Sequence, residues 1–215
     1  LPSLLQRLRE SKPFEIIIAD GGSSDRTCEV AESFGAKVVQ SREKGRAVQM
    51  NAGAAKAQGD VFFFVHADTH PPKNFPRDME QALQDGSLAG CYRSSYRGDQ
   101  GRLRFNAWCT RFSPLFFRGG DQTLFVTREL FERVGGFDEY YCVMEDYEII
   151  KALRRQTRFR IVPRDASISA RKYDHNSFVR VTFANAIVFF LYTVNVEPKK
   201  LWKLYTRLIH HPKAE

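Results

Sequence analysis

Paired cysteine spacings are absent from this chain. Its four cysteines, Cys28, Cys91, Cys109 and Cys142, stand far apart, which leaves no thiolate pair for a structural zinc site. They read as reduced, mostly buried thiols of a cytoplasmic protein. No Ser/His or Cys/His arrangement stands out, so the sequence offers no covalent nucleophile with its base. No apolar run reaches the roughly 20 residues needed to span a bilayer. The best candidate, residues 181–196, has 16 residues interrupted by Asn185 and Asn195, and reads as a buried or interfacial helix. Without a repeat, low-complexity tract or linker, one domain over residues 1–215 is expected. No signal-peptide pattern opens the chain. It begins at Leu1 rather than Met, so its natural start is expected to lie upstream.

A basic excess is missing from most of the chain. The net charge is +8, yet residues 1–150 carry 19 Lys/Arg against 21 Asp/Glu, and residues 151–215 carry 14 against 4. The positive last third suits an anionic membrane or a phosphorylated substrate; a solvated basic face is the plain alternative. Residues 151–172 hold one aromatic, Phe159, so the interleaved stacking residues of a nucleic-acid binder are lacking. Near the end, Leu201, Trp202, Leu204, Tyr205, Leu208 and Ile209 share a helical face, and Lys199, Lys200, Lys203 and Arg207 supply charge. That pattern fits contact with an anionic membrane. It equally fits packing on the sheet or on a second subunit, as in a homodimer.

What is present is a strand-and-helix alternation with polar corners. Val61-Phe62-Phe63-Phe64-Val65 stops at His66-Ala67-Asp68-Thr69. The run reads as a strand buried on both faces, and its carboxyl end is where open α/β sheets bind ligands. Alternation puts His66 and Asp68 on one face and Ala67 on the other. Strands are expected at 14–20, 37–40 and 61–65, with helices reaching Phe34 and over 45–57, which predicts a parallel, layered α/β sheet. Ser23 or Ser24 is expected to cap the first of these helices. Further on, helices are expected near 78–83, 102–112, 129–134, 145–155, 179–196 and 198–210. Strands are expected at 88–96, 123–126 and 160–162, the last stopping before Pro163.

Several polar groups punctuate this pattern. Asp20 ends a strand and precedes Gly21-Gly22-Ser23, a turn whose backbone can approach an anion or a ribose. Lys44-Gly45-Arg46 opens a helix, and Arg46 is a natural diphosphate clamp. A cation there works against the helix dipole, a conflict that an anion relieves. Asp68 is the candidate ligand for Mg²⁺ or Mn²⁺, because such ions take one or two carboxylates and complete their shell with phosphates. His66 is a second candidate ligand or a hydrogen-bonded wall residue. Glu145-Asp146 opens a helix, where its charge is favoured. Gly120-Asp121-Gln122 offers polar groups suited to sugar hydroxyls.

In this order the motifs resemble the inverting, nucleotide-sugar-dependent glycosyltransferases of family 2, over roughly residues 1–175. The matching runs are Asp20 to Asp25, Gly45-Arg46 to Asn51 and Gly53, Gly59-Asp60 to Thr69, Gly120-Asp121-Gln122, Gly135-Gly136-Phe137 and Met144-Glu145-Asp146. The resemblance is to a bacterial subgroup of unassigned acceptor. It implies the GT-A fold: a nucleotide-sugar-binding half (1–90), an acceptor half built on a mixed sheet (91–175) and C-terminal helices (176–215). It further implies that Asp20, Gly22, Ser23, Lys44, Arg46, Asn51, Ala67 and Asp68 bind a UDP- or GDP-linked sugar. Asp146, with Glu145, would be the general base, and Gly120, Asp121 and Gln122 would meet the acceptor or sugar. The acceptor would be lipid-linked or otherwise anionic, reached at the inner face of the membrane. Two departures stand out. His66 replaces the first carboxylate of the family's metal pair, and the family's first strand, ahead of Leu1, is lacking. A nucleotidyltransferase on a similar sheet, or a basic membrane-binding module without activity, are the competing readings.

Overall fold

The computed structural model describes residues 1–97, 101–117 and 122–210, apart from the side chain of Arg102. Helix α1 (Pro2–Glu10) starts with proline at its first turn, where a missing N–H costs nothing. Its Leu4, Leu5 and Leu8 are buried. β1 (Ile17–Asp20) and β2 (Lys37–Gln40) pair in parallel around α2 (Thr27–Ser33). α3 (Arg46–Lys56) follows, then β3 (Val61–Phe64), the two-residue β4 (Thr69–His70), α4 (Phe75–Gln84) and β5 (Ala89–Tyr96). After α5 (Gly101–Cys109) and a 3-10 turn (Leu115–Phe117) come β6 (Leu124–Thr127), α6 (Arg128–Arg133), α7 (Glu145–Gln156) and β7 (Phe159–Ile168). α8 (Phe178–Thr193) and α9 (Pro198–Leu208) close the described chain.

The strands form two sheets, β1-β2 and a mixed five-stranded sheet in the order β3-β6-β5-β7-β4. The expectation of parallel pairing holds for β1 with β2 and fails for β3, which runs antiparallel to β6. Nor is β3 sealed on both faces: Phe62 is buried, while Val61, Phe63 and Phe64 are half-buried. Two of the four cysteines, Cys91 and Cys109, are buried, and Cys142 is exposed.

β7 runs straight through Pro163, where a strand end was expected. The pairing of Val162 with Tyr92 is followed by that of Asp165 with Arg93, so Pro163 and Arg164 are extruded as a bulge. A bulge needs no ladder hydrogen bond from proline. Arg93 holds it in place, donating from Nη2 to the Pro163 carbonyl (2.7 Å) and from Nε to Asp165 (2.9 Å). Next to this ladder, a Cβ on Gly90 would lie 2.3 Å from the Arg160 carbonyl and 2.6 Å from the Phe125 ring. Only glycine lets β5 pass there.

The core falls into connected layers. Phe62, Val126, Leu130, Phe131, Phe137, Ile149 and Leu153 pack between the large sheet and helices α6 and α7. Leu4, Leu8, Phe75, Tyr92 and Phe125 fill its other side. Val181, Val188, Tyr192, Leu201 and Tyr205 join α8 and α9 to Val143 and Met144, just ahead of α7.

Candidate active site

Asp20 is buried at the end of β1. Its carboxylate accepts the backbone N–H of Gly22 (2.8 Å) and of Ser23 (2.9 Å), and the Ser23 hydroxyl (2.5 Å). The hydroxyl bond, chiefly, holds the Asp20 carboxyl below its ordinary range, with the two amides adding to it against the effect of burial. Gly22 takes the left-handed conformation the turn needs (φ 87°). The carboxylate thus shapes its own loop. Ser23 is spent on Asp20 rather than capping α2; the Thr27 N–H finds the Asp25 carboxylate instead (3.0 Å).

The first turn of α3 lies against this loop. Gln49 donates to the Ala19 carbonyl (2.9 Å), and its amide would stand 3.1 Å from a Cβ on Gly21. One turn earlier, Arg46 reaches the start of α7: its Nε lies 2.5 Å from Glu145 Oε1 and its Nη1 3.8 Å from Asp146 Oδ2. Glu145 is fully buried, and Asp146 keeps part of its side chain exposed. Met144, the residue before them, is left-handed at φ 71°, a conformation that costs energy outside glycine and that tight surroundings must impose. In this structure Arg46 faces the protein's own carboxylate pair.

The segment after β3 is a turn, not a continuing strand, since the Thr69 N–H bonds back to the His66 carbonyl (2.9 Å). The alternation expected of His66, Ala67 and Asp68 does not hold there. Asp68 is partly exposed, and the Arg171 guanidinium stands 3.6 Å from its Oδ2. Arg97 donates to its carbonyl (2.6 Å). Among the described residues no three His, Cys, Asp or Glu side chains gather as a metal cage. A carboxylate with an imidazole two residues away suits an ion whose remaining ligands come from a diphosphate.

Other expected residues lie in the scaffold. Asn51 donates to the Phe137 carbonyl (2.8 Å) and Glu139 (2.9 Å) and accepts the Phe137 N–H (2.9 Å). It clamps the Gly135-Gly136 turn. Gln122 is equally engaged, donating to the Phe117 carbonyl (2.6 Å) and facing Cys91 Sγ at 3.5 Å. Lys44 and Ala67 are exposed. Gly120 and Asp121 lie outside the described residues. Sequence reasoning did not single out Arg97, Arg171 or Gln49. Behind α7, Glu148 accepts the Tyr192 hydroxyl and an ion pair from Lys151 (3.0 Å). Burial first, and then Glu148, push the Tyr192 phenol well above its ordinary range.

Residues 1–136, more than half of the chain, match the profile of the Glycosyl transferase family 2. The undecaprenyl-phosphate 4-deoxy-4-formamido-L-arabinose transferase of Pseudomonas aeruginosa (strain LESB58) is 35% identical over 107 residues, covering 44% of this chain and 32% of that protein. Its namesake from Edwardsiella ictaluri (strain 93-146) is 29% identical over 174 residues, 75% of this chain and 48% of that protein. The chain thus spans half or less of the length of these relatives. S. aureus TarS 1-349 in complex with UDP superposes with a TM-score of 0.63 at 16% identity, covering 95% of this chain and 65% of that one. The mannosyltransferase PcManGT from Pyrobaculum calidifontis, in complex with GDP-Man and Mn²⁺, gives 0.63 at 18% identity, covering 96% and 65%. The fold is that of the GT-A glycosyltransferases, and the chain belongs to glycosyl transferase family 2.

Proposed function

We propose that this chain moves a sugar from a UDP- or GDP-linked donor to an acceptor hydroxyl with inversion, with Asp146 as general base. The observation that carries the reading is the meeting of Arg46 with Glu145 and Asp146, one helical turn from the Asp20 loop. The acceptor hydroxyl attacks the anomeric carbon opposite the leaving diphosphate, and Asp146 takes its proton as the bond forms. Arg46 orients Asp146 and keeps a positive charge beside it. Glu145, buried under Arg46, fixes the guanidinium in turn. One displacement inverts the anomeric centre, and no enzyme nucleophile takes part.

Asp20 holds the loop whose Gly22 and Ser23 would approach the base or ribose. Asp68, with His66 beside it, would hold Mg²⁺ or Mn²⁺, which when bound withdraws charge from the leaving diphosphate. Arg171 and Arg97 already bring positive charge to that corner. Residues 1–90 serve the donor, residues 91–175 the acceptor, and residues 176–215 support both as part of one domain. The names of the curated relatives and the basic last third support a lipid-linked or anionic acceptor, met at the inner face of a membrane.

A panel of nucleoside-diphosphate sugars, read by thermal shift with and without Mn²⁺, tests this. A ligand at 100 times its dissociation constant stabilises by about 2.7 kcal/mol. Stabilisation by one UDP- or GDP-sugar is expected; no response from the full-length protein to any of them sinks the reading.

A further inference from the structure

We infer that the chain docks on an anionic lipid bilayer through an aromatic ridge running from α5, over the Leu115–Phe117 turn, onto the outward side of α8. The inference locates the membrane contact proposed above and rests on that part of the reading.

α8 is apolar on two sides. Val181, Ala184, Val188 and Tyr192 are buried against α9 and the start of α7. Val179, Phe183, Phe190 and Val194 form the opposite stripe and are 55–70% exposed. A surface helix of a soluble domain carries polar residues on that side. α5 repeats the pattern, with Leu103 and Cys109 buried and Phe105 and Trp108 exposed. The rings join the two helices. Phe105 stacks on Trp108 (6.0 Å between centroids), and Trp108 meets Phe112 (4.6 Å). Phe112 meets Phe117 (6.3 Å), Phe117 meets Phe116 (5.5 Å), and Phe116 meets Phe189 on the flank of α8 (5.0 Å). Exposed apolar surface of this extent on a soluble chain marks a contact site.

Charge selects the occupant. Neither residues 101–117 nor residues 178–196 contain an Asp or Glu, while Arg104 and Arg111 are exposed on the segment that carries the rings, and Arg180, exposed at the start of α8, donates to the Leu208 carbonyl of α9. A second copy docked face to face would set these arginines against each other with no carboxylate to answer them. Anionic headgroups answer them directly, and aromatic rings favour the headgroup level. Among the described residues no helix is long and apolar enough to cross a membrane, so the contact lies along the surface. It also reaches the chemistry: Tyr147, next to Asp146, packs on Phe189 with ring centroids 5.3 Å apart.

The test is sedimentation with phosphatidylcholine vesicles, with and without phosphatidylglycerol, in the absence of any donor sugar. Docking and transfer can therefore fail separately. Binding is expected to require phosphatidylglycerol, and brominated lipid is expected to quench Trp108 in a Trp202→Phe background. Phe183→Ser with Phe190→Ser, both on the outward stripe, should weaken binding about 10-fold or more. Arg104→Glu with Arg111→Glu should abolish the preference for phosphatidylglycerol. The inference is overturned by absence of binding, by binding without Trp108 quenching, or by binding indifferent to these substitutions. A dimer that the Phe183 and Phe190 changes dissolve, with no vesicle binding, overturns it in favour of a second copy.

Discussion

The Arg46 guanidinium of α3 lies 2.5 Å from the buried Glu145 carboxylate of α7, joining two helix N-termini at one point. Both helices present positive dipole ends there, and Arg46 adds a full charge. Glu145 and Asp146 balance all three. Among the described residues neither Glu145 oxygen gains a hydrogen bond outside this ion pair, so the buried charge depends on Arg46.

Removing Arg46 should therefore cost stability as well as activity. Stripping one partner from a buried pair costs about 3–5 kcal/mol. Arg46→Met should lower the denaturation midpoint accordingly, and Arg46→Lys should recover part of it. Arg46→Met combined with Glu145→Gln should lose less than the sum of the two. Equal midpoints for wild type and Arg46→Met in urea titrations would remove the structural role given to this pair.

Asp146→Asn keeps the shape of the side chain and removes its basicity. General-base catalysis is typically worth about 10²–10⁴-fold, so kcat should fall by that order while the donor dissociation constant stays unchanged. Calorimetric titration of donor beside steady-state turnover separates the two. Turnover at the wild-type level strikes Asp146 from the mechanism.

Asn51 stands in the motif that suggested a nucleotide contact, yet its amide is committed to Phe137 and Glu139. Asn51→Ala leaves backbone groups of Phe137 unanswered, a loss of about 1–3 kcal/mol. Donor affinity of the folded variant should stay within about 3-fold, a shift well under the roughly 1.4 kcal/mol that a tenfold change represents. A stable variant with donor affinity gone would return Asn51 to the binding site.

What could be read in advance follows the range of the interactions. Lys37–Gln40 as a strand, and a helix starting at Glu145, rest on patterns a few residues long, and both stand as expected. The bulge that carries Pro163 through β7 depends on β5, seventy residues earlier by the Arg93 bond. No local rule announces it. The same holds for Arg97 and Arg171 at Asp68, and for the hold of Asn51 on Phe137. The cap of α2 was misread for a local reason: two serines and Asp25 compete for the turn, and Asp20 takes Ser23. The Glu145-Asp146 pair is legible as a helix start, but its pairing with Arg46 is not, because the two stand far apart in the sequence.

Asp68 offers a sharper test of the metal reading than activity does. Asp68→Asn removes the carboxylate facing Arg171 and leaves the rest of the corner intact. Thermal stabilisation by Mn²⁺ together with UDP should drop to that given by UDP alone. Stabilisation by Mn²⁺ and UDP that survives the substitution would move the ion elsewhere.

The Asp20 loop predicts a pH dependence whose sign follows from its hydrogen bonds. Asp20 is held below its ordinary pKa when folded, first by the Ser23 hydroxyl. A depressed carboxyl stabilises the fold above its unfolded value of about 3.9 and loses that contribution as pH falls through its folded value. Ser23→Ala removes the main cause, so the folded pKa rises and the contribution shrinks. The variant should be less stable than wild type at neutral pH, and its acid-unfolding midpoint should move to higher pH. The gap between the two proteins should then narrow below about pH 4, as Asp20 takes up its proton in both. Urea midpoints followed by circular dichroism across that range measure the gap. A gap of the same size at neutral pH and at low pH would mean that the hydroxyl acts on packing, not on the Asp20 charge.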